Sequence, residues 1–274
     1  MNRVYLLFIS VLFICCGASS RKPQDVKAEP SQKVQKVVEP AVIVPIFDAD
    51  SAYSFIEAQV NFGPRVPSTP SHRKCGDYLI SKLESYGATV LTQDIDLRAY
   101  NGDLLKARNI IAQFNPENSN RIMLCAHWDS RPYADNDPDE KNHHKHILGV
   151  NDGASGVGVL LEIARQIQHQ SPELGIDIIF FDAEDYGNSD VDHSFCLGSQ
   201  YWARNPHKRP YQARFGILLD MVGGKNPTFA KDQVSMYYAS DVANMVWDKA
   251  AQLGYGNVFV SDLGGGVIDD HYYV

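Results

Sequence analysis

Three carboxylates stand where α/β proteins place reactive side chains. Asp152 lies in VNDGASGVGVL, just before a helical pattern, and the pair Glu184-Asp185 follows the apolar run in IIFFDAEDYG. Such a run predicts a buried strand, and parallel sheets collect functional residues beyond the carboxyl ends of their strands. Carboxylates gathered there repel one another and lose water, which a bound divalent cation would offset. The pattern predicts a metal site with an adjacent base. The alternative is that these acids are solvated loop residues.

Composition limits the number of domains and the kinds of partner. The 274 residues are 44% hydrophobic, so the chain can bury one sizeable core, and we expect one globular domain. Residues 46–274 carry 19 of the 25 basic and 30 of the 33 acidic residues, a formal net charge of −11. Because this charge repels a phosphate backbone, nucleic acid is not an expected partner.

The N-terminus has the pattern of an export signal. Arg3 precedes an apolar run over residues 4–14, which is too short to span a bilayer comfortably. The following FICCGASS is similar to a loose bacterial lipobox, so we predict a signal peptide over residues 1–16 with Cys16 lipidated. Ordinary signal cleavage near residues 18–20 is the alternative. We therefore expect an exported periplasmic or outer-membrane lipoprotein that meets the membrane only through its lipid anchor.

A tether and a domain with few cysteines follow the signal. Residues 17–45 are rich in Lys, Gln, Val, Glu and Pro without a sustained period, which predicts a disordered tether. The catalytic domain is then residues 46–274. It contains Cys75, Cys125 and Cys196, and this odd number excludes a full disulfide framework. One disulfide is possible in an oxidising compartment, but three buried thiols are favoured.

Hydrophobic periodicity predicts alternating helices and strands in this domain. We predict helices over residues 50–62, 71–87 with Ser71 as the cap, 153–168, 198–204 and 242–253, and strands over residues 89–97, 104–114, 121–127, 176–181, 215–221, 234–238 and near 258. The strand, helix, strand order after residue 121 implies a parallel crossover. The expected fold is α/β: a single-domain, three-layer sandwich with a mixed central sheet, parallel at its centre, and helices on both faces.

Five segments in order carry a resemblance to a known family. They are AHWDSR (126–131), GVNDGASGVG (149–158), FFDAED (180–185), LLDMVGGKNPTF (218–229) and GGVIDDH (265–271). Together they resemble the zinc-dependent glutaminyl cyclases of the animal and bacterial type, which are built on the zinc aminopeptidase fold. The resemblance runs from about Asn61 to the last residue.

The resemblance implies a role for each acid. Asp152 and Asp185 would be ligands of one zinc ion, although family members often have Glu where Asp185 stands. Glu184 would be the general acid and base, and Asp220 and Asp269 would form hydrogen bonds near the substrate nitrogen. Taken alone, Asp152 is equally well read as a helix N-cap, Glu184 as a strand-end carboxylate paired with a lysine, and the last two as solvated acids.

The implied reaction is the cyclisation of N-terminal glutamine to pyroglutamate with release of ammonia, on peptides or proteins with N-terminal Gln. The resemblance also implies that the family's last metal ligand, in a Trp-His pair, lies beyond the position of Val274. The chain is therefore expected to be C-terminally truncated relative to the family.

Two other functions remain open. An aminopeptidase of the same fold would use two metals, with His127 and Asp220 holding the second and Asp152 bridging. A noncatalytic exported binding protein would keep the fold without the chemistry. We favour the cyclase because NPTF and the pair Asp269-Asp270 before His271 resemble cyclases more closely. The histidines at 143, 144 and 146 are expected in a solvated loop, not in a metal site.

Overall fold

A five-stranded mixed sheet lies at the centre of residues 44–274, which are the part of the chain that the computed structural model describes. The predicted signal peptide, Cys16 and nearly all of the predicted tether lie outside the described residues. The strands are β1 (Thr89–Arg98), β2 (Leu104–Phe114), β3 (Arg121–His127), β4 (Gly175–Phe181) and β5 (Gly216–Leu218), in the order β1-β2-β4-β3-β5. β3 pairs in parallel with β4 and β5, whereas β1–β2 and β2–β4 are antiparallel. The mixed sheet with a parallel centre is confirmed, but β5 is shorter than the predicted strand over residues 215–221.

Helices cover both faces of this sheet. α1 (Ala49–Val60), α2 (Pro70–Ser85) and α3 (Ala154–His169) pack on the face that contains Ile110, Ala112 and Ile178. The other face, which contains Ile111, packs against Trp202 of α4 (Leu197–Arg204). Alternate residues of a strand point to opposite faces, so the fully buried runs predicted from sequence supply both cores. The three-layer sandwich is confirmed. No helix within residues 44–274 is both long enough and apolar enough to cross a membrane.

Two helix starts differ from the predictions. α2 is capped by Thr69, whose side chain accepts from the backbone N of His72 at 3.2 Å, so the predicted Ser71 cap is wrong. Pro70 takes the first position of the helix, where its fixed φ fits and its missing N–H costs nothing. α3 has Gly153 as its N-cap and no side-chain capping bond. The reading of Asp152 as a helix cap is therefore wrong.

The C-terminal part contains a small second sheet. It contains the parallel pair β6 (Phe229–Lys231) and β7 (Phe259–Leu263), with α5 (Gln233–Tyr238), α6 (Ser240–Gln252) and the short α7 (Asp270–Tyr273). The predicted strand over residues 234–238 is wrong because this segment is α5. Asp232 caps it by accepting from Ser235 N at 2.7 Å. Tyr237 and Tyr238 are 81% and 74% exposed, and two adjacent exposed aromatics do not fit the alternation of a half-buried strand.

Close backbone contact fixes α3 against the strand that precedes Asp220. A Cβ on Gly156 would lie 1.9 Å from the carbonyl oxygen of Leu219, so only glycine permits this approach. Residue 219 directly precedes Asp220, and Gly156 follows Asp152 by one helical turn. The contact therefore sets the separation of two predicted site residues.

The three cysteines of the described domain are free and buried. Cys75 lies in α2, Cys125 in β3, and Cys196 precedes α4. Burial raises the pKa of Cys75 to about 12 and raises the pKa of the other two thiols as well. This arrangement agrees with the prediction of three buried thiols.

Candidate active site

The five predicted site residues line one cleft beyond the carboxyl ends of the parallel strands. Glu184 and Asp185 follow β4, Asp220 follows β5, Asp152 precedes α3, and Asp269 precedes α7. Phe195, Val267 and Ile268 complete the lining. The sheet thus brings together acids that lie more than a hundred residues apart in sequence. Their individual roles remain predictions.

His127, at the end of β3, is surrounded by three carboxylates. Its Nε2 lies 3.0 Å from Asp152 Oδ1 and 3.2 Å from Asp220 Oδ1, while its Nδ1 lies 3.3 Å from Asp129 Oδ1. Burial acts to lower the pKa of His127, but the three carboxylates raise it well above its ordinary value. One ligand atom each from His127, Asp152 and Asp220 lie within 4.8 Å of one another, which is a spacing that could hold a metal ion.

Asp185 has an unused acceptor in the same region. Burial raises the pKa of Asp185 to about 7, and the charge of Asp152 acts in the same direction. The Oδ2 atom of Asp185 is buried and has no hydrogen-bond partner. A buried carboxylate oxygen without a partner is costly, and a cation would satisfy it. The oxygen and imidazole donors gathered here therefore fit a divalent cation such as zinc.

Glu184 lies in surroundings suited to holding and releasing a proton. Burial raises its pKa well above the ordinary value for Glu; His127 opposes the rise, while Asp270 and Asp269 add to it. The Sγ of Cys196 donates to Glu184 Oε1 at 3.2 Å. No lysine contacts Glu184 among residues 44–274, so the alternative of a strand-end acid paired with a lysine is not supported there. A raised pKa favours general acid–base work near neutral pH.

The other two acids differ in electrostatic state. Burial acts to raise the pKa of Asp220, but hydrogen bonding with the His127 ring lowers it overall. Burial raises the pKa of Asp269, and the charge of Asp220 raises it further. Asp269 is only 8% exposed and accepts from the backbone N of Asp270. Asp220 is thus favoured as a charged group, and Asp269 is the one that more readily keeps a proton.

The sequence reasoning missed Asp129, which fixes the backbone that carries the acid pair. This fully buried carboxylate accepts from Glu184 N at 3.0 Å and from Asp185 N at 3.2 Å, in addition to its contact with His127. Ala183 just before the pair has a φ of +53°, so the turn is tight. A charged residue two positions beyond a strand-end histidine was the available signal. The histidines at 143, 144 and 146 are not among the residues that line the cleft, and the latter two are exposed.

The chain is similar to members of peptidase family M28 and to solved structures described as a glutaminyl cyclase and a leucine aminopeptidase precursor. The model of peptidase family M28 matches residues 109–274. The structure of Bacteroides thetaiotaomicron glutaminyl cyclase bound to N-acetylhistamine is 58% identical, with a TM-score of 0.83 over 84% of this chain and 81% of that chain. A leucine aminopeptidase precursor from Bacteroides thetaiotaomicron VPI-5482 is also 58% identical, with a TM-score of 0.84 over 85% and 82%. Glutaminyl-peptide cyclotransferase of Drosophila melanogaster is 25% identical over 178 residues, 61% of this chain and 46% of that protein. The chain spans about half the length of the curated relatives it matches.

Proposed function

Because the chain belongs to peptidase family M28, and because its cleft holds a glutamate of raised pKa beside ligand-type carboxylates, we propose that it is a zinc-dependent glutaminyl-peptide cyclotransferase. The substrate class is peptides or proteins with N-terminal glutamine. The observation that carries the proposal is half-buried Glu184, with its raised pKa, placed in one cleft with Asp152, Asp185 and Asp269. The similarity to solved structures of glutaminyl cyclases supports it.

Asp152 and Asp185 would hold one zinc ion. Zinc bound there would supply Lewis acidity toward the side-chain amide carbonyl of the substrate glutamine. The substrate's own α-amine attacks the amide carbon, so a C–N bond forms, and the bond to the side-chain nitrogen breaks. Glu184 accepts a proton from the attacking amine and returns it to the departing nitrogen, which leaves as ammonia. The water-activating step of a peptidase is not needed.

Asp220 and Asp269 would orient the reacting nitrogens by accepting hydrogen bonds from them. One ligand atom each of Glu184, Cys196 and Asp269 lie within 4.8 Å of one another, so Asp269 is close enough to share the proton that Glu184 carries. Two neighbouring acids with raised pKa values do not both ionise easily, which keeps one proton available.

An aminopeptidase is the second candidate function. The spacing of His127, Asp152 and Asp220 favours it because these residues could hold a second metal ion with Asp152 bridging. The leucine aminopeptidase precursor of equal identity also supports it. Two metals would activate water against the first peptide bond, so the product would be a free amino acid instead of pyroglutamate.

Mass spectrometry of three matched peptides tests both candidates. Peptides that begin with Gln, Glu or Leu are incubated with the purified protein, with zinc or with a chelator. Loss of ammonia from the Gln peptide alone, abolished by the chelator, supports the cyclase. Release of the first residue supports the aminopeptidase, and no reaction in any arm contradicts both in favour of a binding protein.

Glu184→Gln tests the role of the base. We expect kcat to fall about 10²–10⁴-fold because proton transfer by a positioned side chain contributes that much. Bound zinc, measured by elemental analysis, should stay unchanged, since Glu184 is not a proposed ligand. Glu140→Gln changes an exposed glutamate outside the cleft and is the matched control. Equal activity of the two variants would contradict the assignment.

We also propose that the protein is exported and anchored through a lipid on Cys16. The apolar run and the lipobox-like segment of the sequence support this. Labelling cells with a radioactive fatty acid should mark the full-length protein and its Cys15→Ala control but not Cys16→Ala. Labelling of Cys16→Ala, or of none of the three, would contradict lipidation at Cys16.

A further inference from the structure

Arg131, the last residue of AHWDSR, has an unassigned contact with a predicted metal ligand. Its Nη1 donates to the backbone oxygen of Asp185 at 3.1 Å and to Asp185 Oδ1 at 3.2 Å. We propose that Arg131 is the positioning residue that orients Asp185 for metal binding. The inference rests on the proposed function because it takes Asp185 as a ligand.

The two carboxylate oxygens of Asp185 have different surroundings. Oδ1 is held by Arg131, whereas Oδ2 is buried without a partner. The backbone is fixed on both sides, since Asp129 accepts from Asp185 N at 3.2 Å and Arg131 donates to Asp185 O. A side chain as short as Asp reaches a cation only if its backbone is placed closely. Arg131 provides that placement and leaves the second carboxylate oxygen of Asp185 without a partner.

Arg131 is itself held on two further sides. Its Nε and Nη2 donate to the two oxygens of Asp135 at 2.6 and 2.5 Å. Its guanidinium carbon lies 5.6 Å from the ring centroid of Phe195, which lines the cleft. The planar fork of an arginine can meet these partners at once, whereas the point charge of a lysine cannot. The arrangement is therefore specific to arginine.

Charge alone would give the opposite result from positioning. A cation beside a metal ligand repels the metal, so an Arg131 that acted only through its charge would weaken zinc binding, and its removal would tighten it. If Arg131 orients Asp185, its removal loosens the ligand and weakens zinc binding, by about 10–100-fold for loss of a residue that orients a ligand. The sign of the change separates the two accounts.

Zinc affinity of the purified protein, measured by competition with a fluorescent chelator at one pH and ionic strength, provides the test. Arg131→Gln should weaken binding about 10–100-fold, and Arg131→Lys should restore little of it. Arg98→Gln removes an arginine whose contact is the backbone oxygen of Gly102, so it should leave the affinity unchanged and is the matched control. Unchanged or tighter binding by Arg131→Gln would overturn the proposal.

Asp185→Ala separates this proposal from the proposed function. It should weaken zinc binding at least as much as Arg131→Gln; if it has no effect, Asp185 is not a ligand and the inference fails with that assignment. The zinc-affinity assay contains no substrate, so a protein without cyclase activity can still support or contradict the role of Arg131. If Arg131→Gln does not fold, Asp135→Asn carries the test because it keeps Arg131 but removes one of its two charged partners. Weaker zinc binding by that variant supports the proposal, and unchanged binding overturns it.

Discussion

The ion pair between Arg121 and Asp177 joins the starts of β3 and β4, at the end of the sheet opposite the cleft. Arg121 Nε lies 2.8 Å from Asp177 Oδ2, and Nη2 lies 2.9 Å from Oδ1, with the side chains 4% and 0% exposed. Arg121→Met would leave a buried carboxylate without its counter-charge, which costs about 3–5 kcal/mol in comparable cases. Because Tyr211 and Gln113 still donate to Asp177, we expect the lower end, about 3 kcal/mol.

Thermal unfolding measures this loss. For a domain of this size each kcal/mol shifts Tm by about 2–4 °C, so Arg121→Met should lower Tm by about 6–12 °C. Lys106→Met removes the cation of an exposed pair with Asp96, 62% and 53% exposed, and should cost no more than about 1 kcal/mol. The double variant Arg121→Met/Asp177→Leu should recover part of the loss, since no charge stays buried. Equal Tm changes for Arg121→Met and Lys106→Met would refute the reasoning.

Three further predictions concern packing, the candidate base and pH. Gly156→Ala should destabilise the domain by about 1–3 kcal/mol because the new Cβ meets a backbone carbonyl oxygen. Gly265→Ala is the control, since a Cβ there meets nothing within 4 Å, and it should not destabilise the domain. Equal urea midpoints for the two variants would contradict this prediction. Cys196→Ala should lower kcat about twofold to tenfold without changing KM, because it removes one hydrogen bond to Glu184. Cys196→Ser keeps a donor at this position and should restore the rate. Equal rates for the two variants would contradict a role of this hydrogen bond in catalysis. Burial acts to raise the pKa of Glu162, but hydrogen bonds from its arginine and glutamine neighbours lower it overall. The ionised Glu162 carboxylate therefore stabilises the folded domain above the unfolded pKa of about 4.3, and this stabilisation is lost as pH falls through the lower folded pKa. The urea midpoint should therefore fall on acidification, and Glu162→Gln should make that fall shallower; an unchanged slope would count against it.

The central strands are the part of the fold that the sequence predicts well. β2 and β3 have the predicted bounds. β3 is a mostly apolar buried run, which fits a sheet covered on two sides, whereas β2 begins with alternating exposed and buried residues and becomes buried toward its end. The segment over residues 234–238 contains Val and two Tyr, which favour strands, yet it is helical. Its composition could not decide between the two states. The helix is favoured by the N-terminal cap from Asp232, and the exposure of two adjacent tyrosines does not fit a half-buried strand.

The cleft was predictable to the extent that strand ends determine it. Glu184, Asp185 and Asp220 all follow strands of one sheet, so their proximity follows from topology. The contributions of Asp129 and Arg131 were not predictable in the same way. Both act through hydrogen bonds to a loop more than fifty residues later in the chain, so their positions near a strand-end histidine do not show which residues they contact.

The reaction of the three buried thiols with a thiol reagent can report where the domain opens locally. Thiol reagents attack the thiolate, and burial both raises the pKa of these cysteines and shields them, so the folded domain should resist labelling at all three. Cys75 reports on an outer helix, Cys125 on the central sheet, and Cys196 on the buried segment that contacts Glu184. Labelling followed over time by peptide mass mapping would then give the order in which these layers open. We expect Cys125 to react last, because the central strands open with the whole domain.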